Sequence, residues 1–156
     1  PSDYGQIFDT ISICFSKGLG APIGSALLGT NKAIKQAKRV RKALGGGMRQ
    51  AGYLAAACIY SLDHHIIRLA EDHHRAKMLG LIIQNLDYVL KVYPIQTNII
   101  IFELQPGVNP IELLEKLKAK GLLAIGFGKG MLRLVTHLDF DDESLEKAIA
   151  IFKSIA

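Results

Sequence analysis

The stretch that decides the fold covers residues 11–28 and reads ISICFSKGLGAPIGSALL. Two short apolar runs, residues 11–15 and 25–28, enclose a loop that has glycine or proline at positions 18, 20, 22 and 24. Apolar runs of this length, bounded by turn residues, predict buried strands. A strand, a glycine-rich loop and a second strand favour the interior of an α/β sheet.

Helices are predicted after these two strands. Thr30 or Asn31 is expected to cap a helix that ends near Leu44, where three glycines follow. An alanine-rich helix, buried on most sides, is predicted over 50–63, and a longer one over 66–89. Two strands are too few for an independent sheet. We therefore expect the apolar strands of this part to expose their faces unless other strands lie beside them.

The second part of the chain has a different pattern. A strand is predicted over 98–104, a helix over 110–120 with Pro110 in its first turn, short strands over 123–125 and 131–136, and a last helix over 142–155. This order is typical of a small α+β layer domain. The sequence therefore predicts an α/β protein with two parts, residues 1–64 from a large domain and residues 65–156 as a complete small domain.

The charge of the chain is unevenly distributed. The formal net charge is +5, and the basic residues concentrate at 32–42 (KAIKQAKRVRK). No aromatic residue interleaves with them and no nucleic-acid-binding motif follows, so a solvated helix face near a phosphate-bearing ligand explains the run at least as well as nucleic-acid binding. We expect no nucleic-acid partner.

Several further features bear on the location of the protein. The chain has no apolar run of the ~20 residues that a membrane helix needs, and its first residues do not resemble a signal peptide. Cys14 and Cys58 are expected to be reduced and buried, and the protein to be cytoplasmic without a membrane partner. The first residue is not methionine, so we expect the chain to begin partway through a longer product.

Lys17 is the most informative position. It follows the apolar run 11–15 and is itself followed by glycine. A lysine at the end of a buried strand suits imine formation, because burial favours the neutral, nucleophilic amine. The alternative is an ordinary solvated surface charge.

Two arginines have comparable alternatives. Arg49 follows three glycines, whose N–H groups could face an anion; the alternative is a flexible turn with a surface arginine. Arg133 lies in the apolar run 131–136 and needs an anionic partner there, either Asp139, Asp141 or a ligand carboxylate. The histidine pairs 64–65 and 73–74 lack a metal-binding pattern and are interpreted as surface or capping residues, so no metal site is predicted.

Five stretches together resemble L-threonine aldolases of the low-specificity and L-allo type. They are residues 12–25 (SICFSKGLGAPIGS), 41–52 (RKALGGGMRQAG), 69–73 (LAEDH), 96–98 (QTN) and 133–139 (RLVTHLD). These enzymes have the fold-type I architecture and use pyridoxal 5′-phosphate (PLP). The resemblance implies that Lys17 is the Schiff-base lysine, Arg49 reaches the cofactor phosphate and Arg133 binds the substrate α-carboxylate. Lys42 is a weaker candidate near the site.

The resemblance implies cleavage of L-threonine or L-allo-threonine to glycine and acetaldehyde, by a homodimer or homotetramer. It covers only the C-terminal part of the family pattern, since the upstream motifs that contact the pyridine ring and cradle the phosphate are not in this chain. Activity of the chain by itself is therefore not expected. The alternatives are another fold-type I enzyme, such as an aminotransferase, a decarboxylase or a β-eliminating lyase, and a non-catalytic binding module.

Overall fold

The computed structural model describes residues 2–155, and it divides into two compact units between Ile67 and Arg68. We call the part up to Ile67 the N-terminal unit and the part from Arg68 onward the C-terminal unit. The boundary predicted from the sequence, after residue 64, concerns the domains of a whole enzyme and stays a prediction.

The N-terminal unit contains a two-stranded antiparallel sheet and three helices. Thr10 pairs with Gly29 and Cys14 with Ser25. The first helix has six residues and was not predicted, because SDYGQI shows no helical apolar spacing. The elements are α1 (Ser2–Ile7), β1 (Thr10–Cys14), β2 (Ser25–Gly29), α2 (Asn31–Ala43) and α3 (Gly52–His64).

The ends of α2 follow the sequence signals. The side chain of Thr30 caps the helix by accepting a 3.3 Å hydrogen bond from the Ala33 amide, as predicted. At the other end Gly45 has φ +82°, a conformation that favours glycine. The amide of Gly46 then bonds the Arg41 carbonyl at 2.8 Å, which completes the helix terminus.

The strands of this unit are largely exposed, with Leu28 at 45% exposure, as expected for two strands that have no other strands beside them. The predicted burial is wrong in two other places. Cys14 is exposed and Cys58 half-buried, although both are free thiols as expected. In α3, only Ser61 is buried, and Tyr53 is 87% exposed. The reason is the strand count: two paired strands without a covering layer leave their faces open.

The C-terminal unit contains a four-stranded antiparallel sheet with the strand order β3-β4-β6-β5. Its elements are α4 (Leu69–Ile83), β3 (Val89–Val92), β4 (Ile99–Leu104), α5 (Pro110–Ala119), β5 (Ile125–Gly126), β6 (Met131–Val135) and α6 (Asp142–Lys153). The helix predicted over 66–89 is therefore too long, and β3 was missed. The chain turns after Ile83, and the amide of Val89 bonds the Leu86 carbonyl at 2.9 Å.

The core of this unit lies on one face of the sheet. Alternate residues of β4 and β6, including Phe102 and Leu132, are fully buried and join side chains of α4, α5 and α6 in one cluster. Phe102 packs edge-to-face against Phe152 with ring centroids 6.1 Å apart. Strand alternation directs the remaining residues of β4 and β6 to the opposite face. Among the residues described, no helix is both long and apolar enough to span a membrane.

Candidate functional site

Lys17 lies in a loop closed by its own backbone hydrogen bonds. At the neck of the loop the amide of Phe15 bonds the Gly24 carbonyl at 2.9 Å, and the amide of Ala21 bonds the Phe15 carbonyl at 3.1 Å. The Lys17 carbonyl accepts from the Gly20 amide at 2.8 Å, so the lysine begins a tight turn. The lysine is exposed, contrary to the buried setting predicted for the end of β1, because β1 itself is exposed.

Two side chains, one from the middle of α3 and one from its C-cap, hold this loop. Nδ1 of His65 lies 2.6 Å from the Leu19 carbonyl oxygen, and the Cys58 thiol donates to the Ile23 carbonyl at 3.4 Å. Gly24 has φ +114°, and a Cβ there would lie 3.5 Å from Cys58 Sγ. Sequence reasoning missed both contacts, because the partners lie 46 and 35 residues apart and no local pattern joins them.

Arg49 is exposed in the turn between the triple glycine and α3. A Cβ at Gly47 would lie 2.6 Å from Cδ of Lys42, so the side chain of Lys42 extends over this glycine. Gln50 has φ +52°, in the left-handed region, and α3 begins without a side-chain cap. The structure thus places Lys42 beside the triple glycine and Arg49 directly after it, as the sequence order requires.

Arg133 lies in the middle of β6, opposite Ile101 on one neighbouring strand and Ile125 on the other. Leu132 and Leu134 enter the core, whereas Arg133 is half-buried on the opposite face. Its Nε is buried and has no hydrogen-bond partner within residues 2–155. A buried donor without a partner costs free energy, so we expect Nε to donate to an acceptor that the described residues do not supply.

The two aspartates considered as partners of Arg133 do not pair with it. The side chain of Asp139 is 88% exposed to solvent. Asp141 caps α6, and the hydrogen bond from the Ser144 amide to its carboxylate, 2.8 Å long, holds the pKa of Asp141 below its ordinary value. Neither forms a salt bridge with Arg133 in the described part of the chain, and the ligand-binding role of Arg133 stays a prediction.

The carboxylate on the same sheet face is also occupied. Glu103 projects from β4 on the face of Arg133, and the Tyr93 hydroxyl donates to its Oε2 at 3.3 Å. Lys91 Nζ lies 4.6 Å from the centre of the Tyr93 ring. This face therefore combines acidic, basic and aromatic groups, and it lies opposite the face that joins the core cluster.

A polar junction fixes the end of the strand that carries Arg133. Thr136 is buried; its hydroxyl donates to the Asp72 carbonyl at 2.7 Å, and its own carbonyl accepts from Asn98 Nδ2 at 2.7 Å. Asp72 is fully buried and bound by Arg68 at 2.5 and 3.2 Å. Three of the five sequence stretches that carried the family resemblance meet here, which gives them a positioning role that their order in the sequence does not reveal.

The proposed site residues are divided between the two units. Lys17, Lys42 and Arg49 belong to the N-terminal unit and Arg133 to the C-terminal unit. Over residues 2–155, no cluster of three or more histidine, cysteine or carboxylate side chains could hold a metal ion.

Comparison with known proteins begins with a family model. The model described as "Beta-eliminating lyase" matches residues 1–105 of the 156. The low specificity L-threonine aldolase of Escherichia coli K12 is 40% identical over 149 residues, which cover 96% of this chain and 43% of that protein. Low-specificity L-threonine aldolase 1 of Arabidopsis thaliana is 34% identical, over 93% and 41%. The chain spans about two fifths of the length of these curated relatives.

Solved structures agree in fold. A protein from Exiguobacterium sp. 255-15, assigned as an aromatic amino acid beta-eliminating lyase/threonine aldolase, superposes with a TM-score of 0.75 at 19% identity, over 97% of this chain and 46% of that one. Serine palmitoyltransferase of Sphingomonas wittichii superposes with a TM-score of 0.70 at 19% identity, over 94% and 39%. The mixed α/β structure thus matches PLP-dependent fold-type I enzyme chains, as the sequence predicted.

The family assignment follows from these findings together. The threonine aldolases, the beta-eliminating lyases and the fold-type I neighbours are PLP-dependent, which confirms the cofactor expected for the family. The family model covers about two thirds of the chain, and the threonine aldolase relatives extend the match through the C-terminal unit. This chain belongs to the beta-eliminating lyase family of PLP-dependent enzymes.

Proposed function

We propose that this chain serves an aldolase that cleaves L-threonine or L-allo-threonine to glycine and acetaldehyde. The observation that carries the proposal is the Nε of Arg133, which is buried and has no hydrogen-bond partner among the described residues, on a sheet face where Glu103 already accepts from Tyr93. The names of the E. coli and Arabidopsis relatives support the same reaction.

The residues present fit PLP as a cofactor. Lys17 offers a primary amine, exposed in a glycine-rich loop that is braced by its own hydrogen bonds. Arg49 offers a guanidinium for the phosphate, in an exposed turn that follows the triple glycine. When bound, PLP supplies an electron sink for the pair released as the bond between Cα and Cβ breaks. We propose that Lys17 and Arg49 hold it, with Lys42 close by.

Arg133 would orient the substrate. A guanidinium matches a carboxylate through two parallel N–H donors, and this fixes the rotation of the substrate as well as its position. β6 is held on both sides by paired strands, and the junction at Thr136 fixes its end, so little reorganisation is needed when the substrate binds. In the reaction, the β-hydroxyl loses its proton and becomes the aldehyde oxygen, while Cα gains a proton to give glycine.

We also propose that the protein acts in the cytoplasm as a homodimer or homotetramer. Support for the assembly comes from the N-terminal unit, which leaves apolar side chains such as Ile13, Leu28 and Tyr53 exposed. Such side chains are suited to protein–protein contacts.

The second candidate function is β-elimination, which the name of the matching family favours. The two reactions give different products from L-threonine: aldol cleavage gives glycine and acetaldehyde, and elimination gives 2-oxobutanoate and ammonia. The protein expressed from its entire reading frame, with PLP, should form glycine and acetaldehyde in equal amounts. Formation of 2-oxobutanoate and ammonia instead would overturn the aldolase proposal and leave the family assignment intact.

A further inference from the structure

We infer that His65 is a positioning residue for Lys17, because its imidazole holds the turn that presents the lysine amine. The inference rests on the proposed function, since it concerns how readily Lys17 takes up PLP. It adds a residue that neither the sequence patterns nor the family resemblance singled out.

The contact has a defined polarity. Nδ1 of His65 lies 2.6 Å from the Leu19 carbonyl oxygen. A carbonyl can only accept a hydrogen bond, so Nδ1 carries the proton and donates. Both the neutral tautomer with hydrogen on Nδ1 and the protonated ring satisfy this requirement. The contact therefore does not depend on the charge of His65.

The imidazole is itself held in place. His65 ends α3, and its amide bonds the Ser61 carbonyl at 2.9 Å. Ser61 is buried and its hydroxyl bonds the Ala57 carbonyl at 3.0 Å, which anchors this last turn of the helix. The Tyr60 ring meets the imidazole edge-on with centroids 5.6 Å apart. The donor thus approaches the loop from a fixed direction.

The turn transmits this constraint to the lysine. Leu19 lies two residues after Lys17, and the bond from the Gly20 amide to the Lys17 carbonyl, 2.8 Å long, closes both residues into one turn. Displacement of the Leu19 carbonyl therefore displaces the backbone from which the lysine side chain starts. Cys58 holds the far side of the loop at Ile23 through a longer and weaker thiol contact. His65 is thus the side-chain anchor on the Lys17 side.

Three substitutions of His65 test the inference in the protein expressed from its entire reading frame. His65→Asn places an amide N–H at the position of Nδ1, His65→Gln places it one bond further out, and His65→Ala removes the donor. His64→Ala is the matched control, because His64 is an exposed neighbour whose ring lies tilted against that of Tyr60, with centroids 4.2 Å apart, and whose side chain forms no hydrogen bond with the loop within residues 2–155.

Two readouts are measured for each variant. Hydrogen exchange of the peptide over residues 16–24 reports the turn without any cofactor. The rate at which PLP becomes trapped on Lys17, determined by borohydride reduction and peptide mapping, reports presentation of the amine. In His65→Ala both should change about fivefold, the effect of losing one hydrogen bond of about 1 kcal/mol: exchange becomes faster and trapping slower. Asn should restore both, Gln should not, and His64→Ala should match the wild type.

The outcomes separate this inference from the proposed function. Unchanged exchange and trapping in His65→Ala would overturn the positioning role, as would rescue by Gln but not by Asn. If His65→Ala does not fold, the comparison of Asn with Gln still decides. Absence of label on Lys17 in the wild type would overturn the proposed role of Lys17, while the exchange data would still show whether His65 holds the turn.

Discussion

The two units of the molecule differ in how far they stabilise themselves. The C-terminal unit buries fourteen hydrophobic residues in one cluster, whereas in the described N-terminal unit only Ala21 is a buried hydrophobic residue. The proposed cofactor residues Lys17 and Arg49 lie in the unit without a core, and the proposed substrate residue Arg133 lies in the unit with one. The C-terminal scaffold can therefore position its arginine through its own packing, while the N-terminal residues rely on hydrogen bonds within loops.

The largest expected effect comes from two matched phenylalanines. Phe102 is fully buried at the centre of the C-terminal core, and Phe8 in the N-terminal unit is 54% exposed. Phe102→Ala should lower the free energy of unfolding by about 3–5 kcal/mol, the usual effect of truncating a core aromatic residue. Phe8→Ala should change it by less than about 1 kcal/mol. Equal effects in a urea titration would show that the difference between the units is not real.

Two arginines, one in each unit, give the next largest effects. Arg133→Ala should lower kcat/KM for threonine about 10- to 150-fold, the loss of a charge-assisted contact of about 1.5–3 kcal/mol, with PLP affinity unchanged. Arg133→Lys should also be impaired, because it loses the planar fork. Arg49→Ala should instead weaken PLP affinity by a similar factor.

The proposed role of each arginine can be disproved independently of the other. An unfolded Arg133→Ala protein would identify Arg133 as a structural residue. A PLP titration unaltered by Arg49→Ala would show that the triple glycine and Arg49 form only a turn. Steady-state kinetics and cofactor titration of both variants, in the protein expressed from its entire reading frame, distinguish these outcomes.

The smallest effect concerns two tyrosines and pH. Tyr88 in the C-terminal unit is partly buried and donates to the Phe152 carbonyl at 3.1 Å, and burial raises its pKa to about 12. Because the folded state holds this proton more tightly than the unfolded chain, whose tyrosine pKa is about 10, the stabilisation is complete below pH ~10 and is lost as pH rises through ~12.

The difference between wild type and a Tyr88→Phe variant isolates this effect from other alkaline titrations. The pH-dependent part should be about 1 kcal/mol, after allowance for solvent screening of a partly exposed group. Tyr53→Phe is the control from the N-terminal unit, where the side chain is 87% exposed, and its stability profile should follow the wild type. A wild-type stability curve that parallels that of Tyr88→Phe between these pH values would contradict the prediction.

Local signals predicted much of the fold. The Thr30 cap, the start of α5 at Pro110 and the strand β4 all depend on residues adjacent in sequence, and each lies where it was expected. The strand β3 was missed because the apolar residues at the end of the predicted helix fit helical spacing as well as strand alternation. Pairing with β4, in which Val89 lies opposite Leu104, makes this segment a strand.

The sequence predicted which residues form the candidate site, but not the hydrogen bonds that hold them in place. The sequence shows that an arginine in an apolar strand needs an anionic partner, and it offers Asp139, Asp141 or a ligand equally. Only the three-dimensional arrangement shows that Asp141 is occupied as a helix cap. The contact between His65 and Leu19 spans 46 residues, and no periodicity or local motif encodes a contact of that kind.

The junction at Thr136 has a consequence for how this chain can change in length. Asp72 accepts the hydrogen bond of the Thr136 hydroxyl through its carbonyl, so a register shift of α4 would break the bond that joins this helix to the end of β6. The separation of three positions between Arg133 and Thr136 therefore fixes the distance of the arginine from the anchored end of β6. An insertion there would move the guanidinium by one strand position and turn it to the opposite face. By contrast, the turn at 105–109 joins β4 to α5 and lies outside residues 133–136. The chain can therefore lengthen in this turn without moving Arg133.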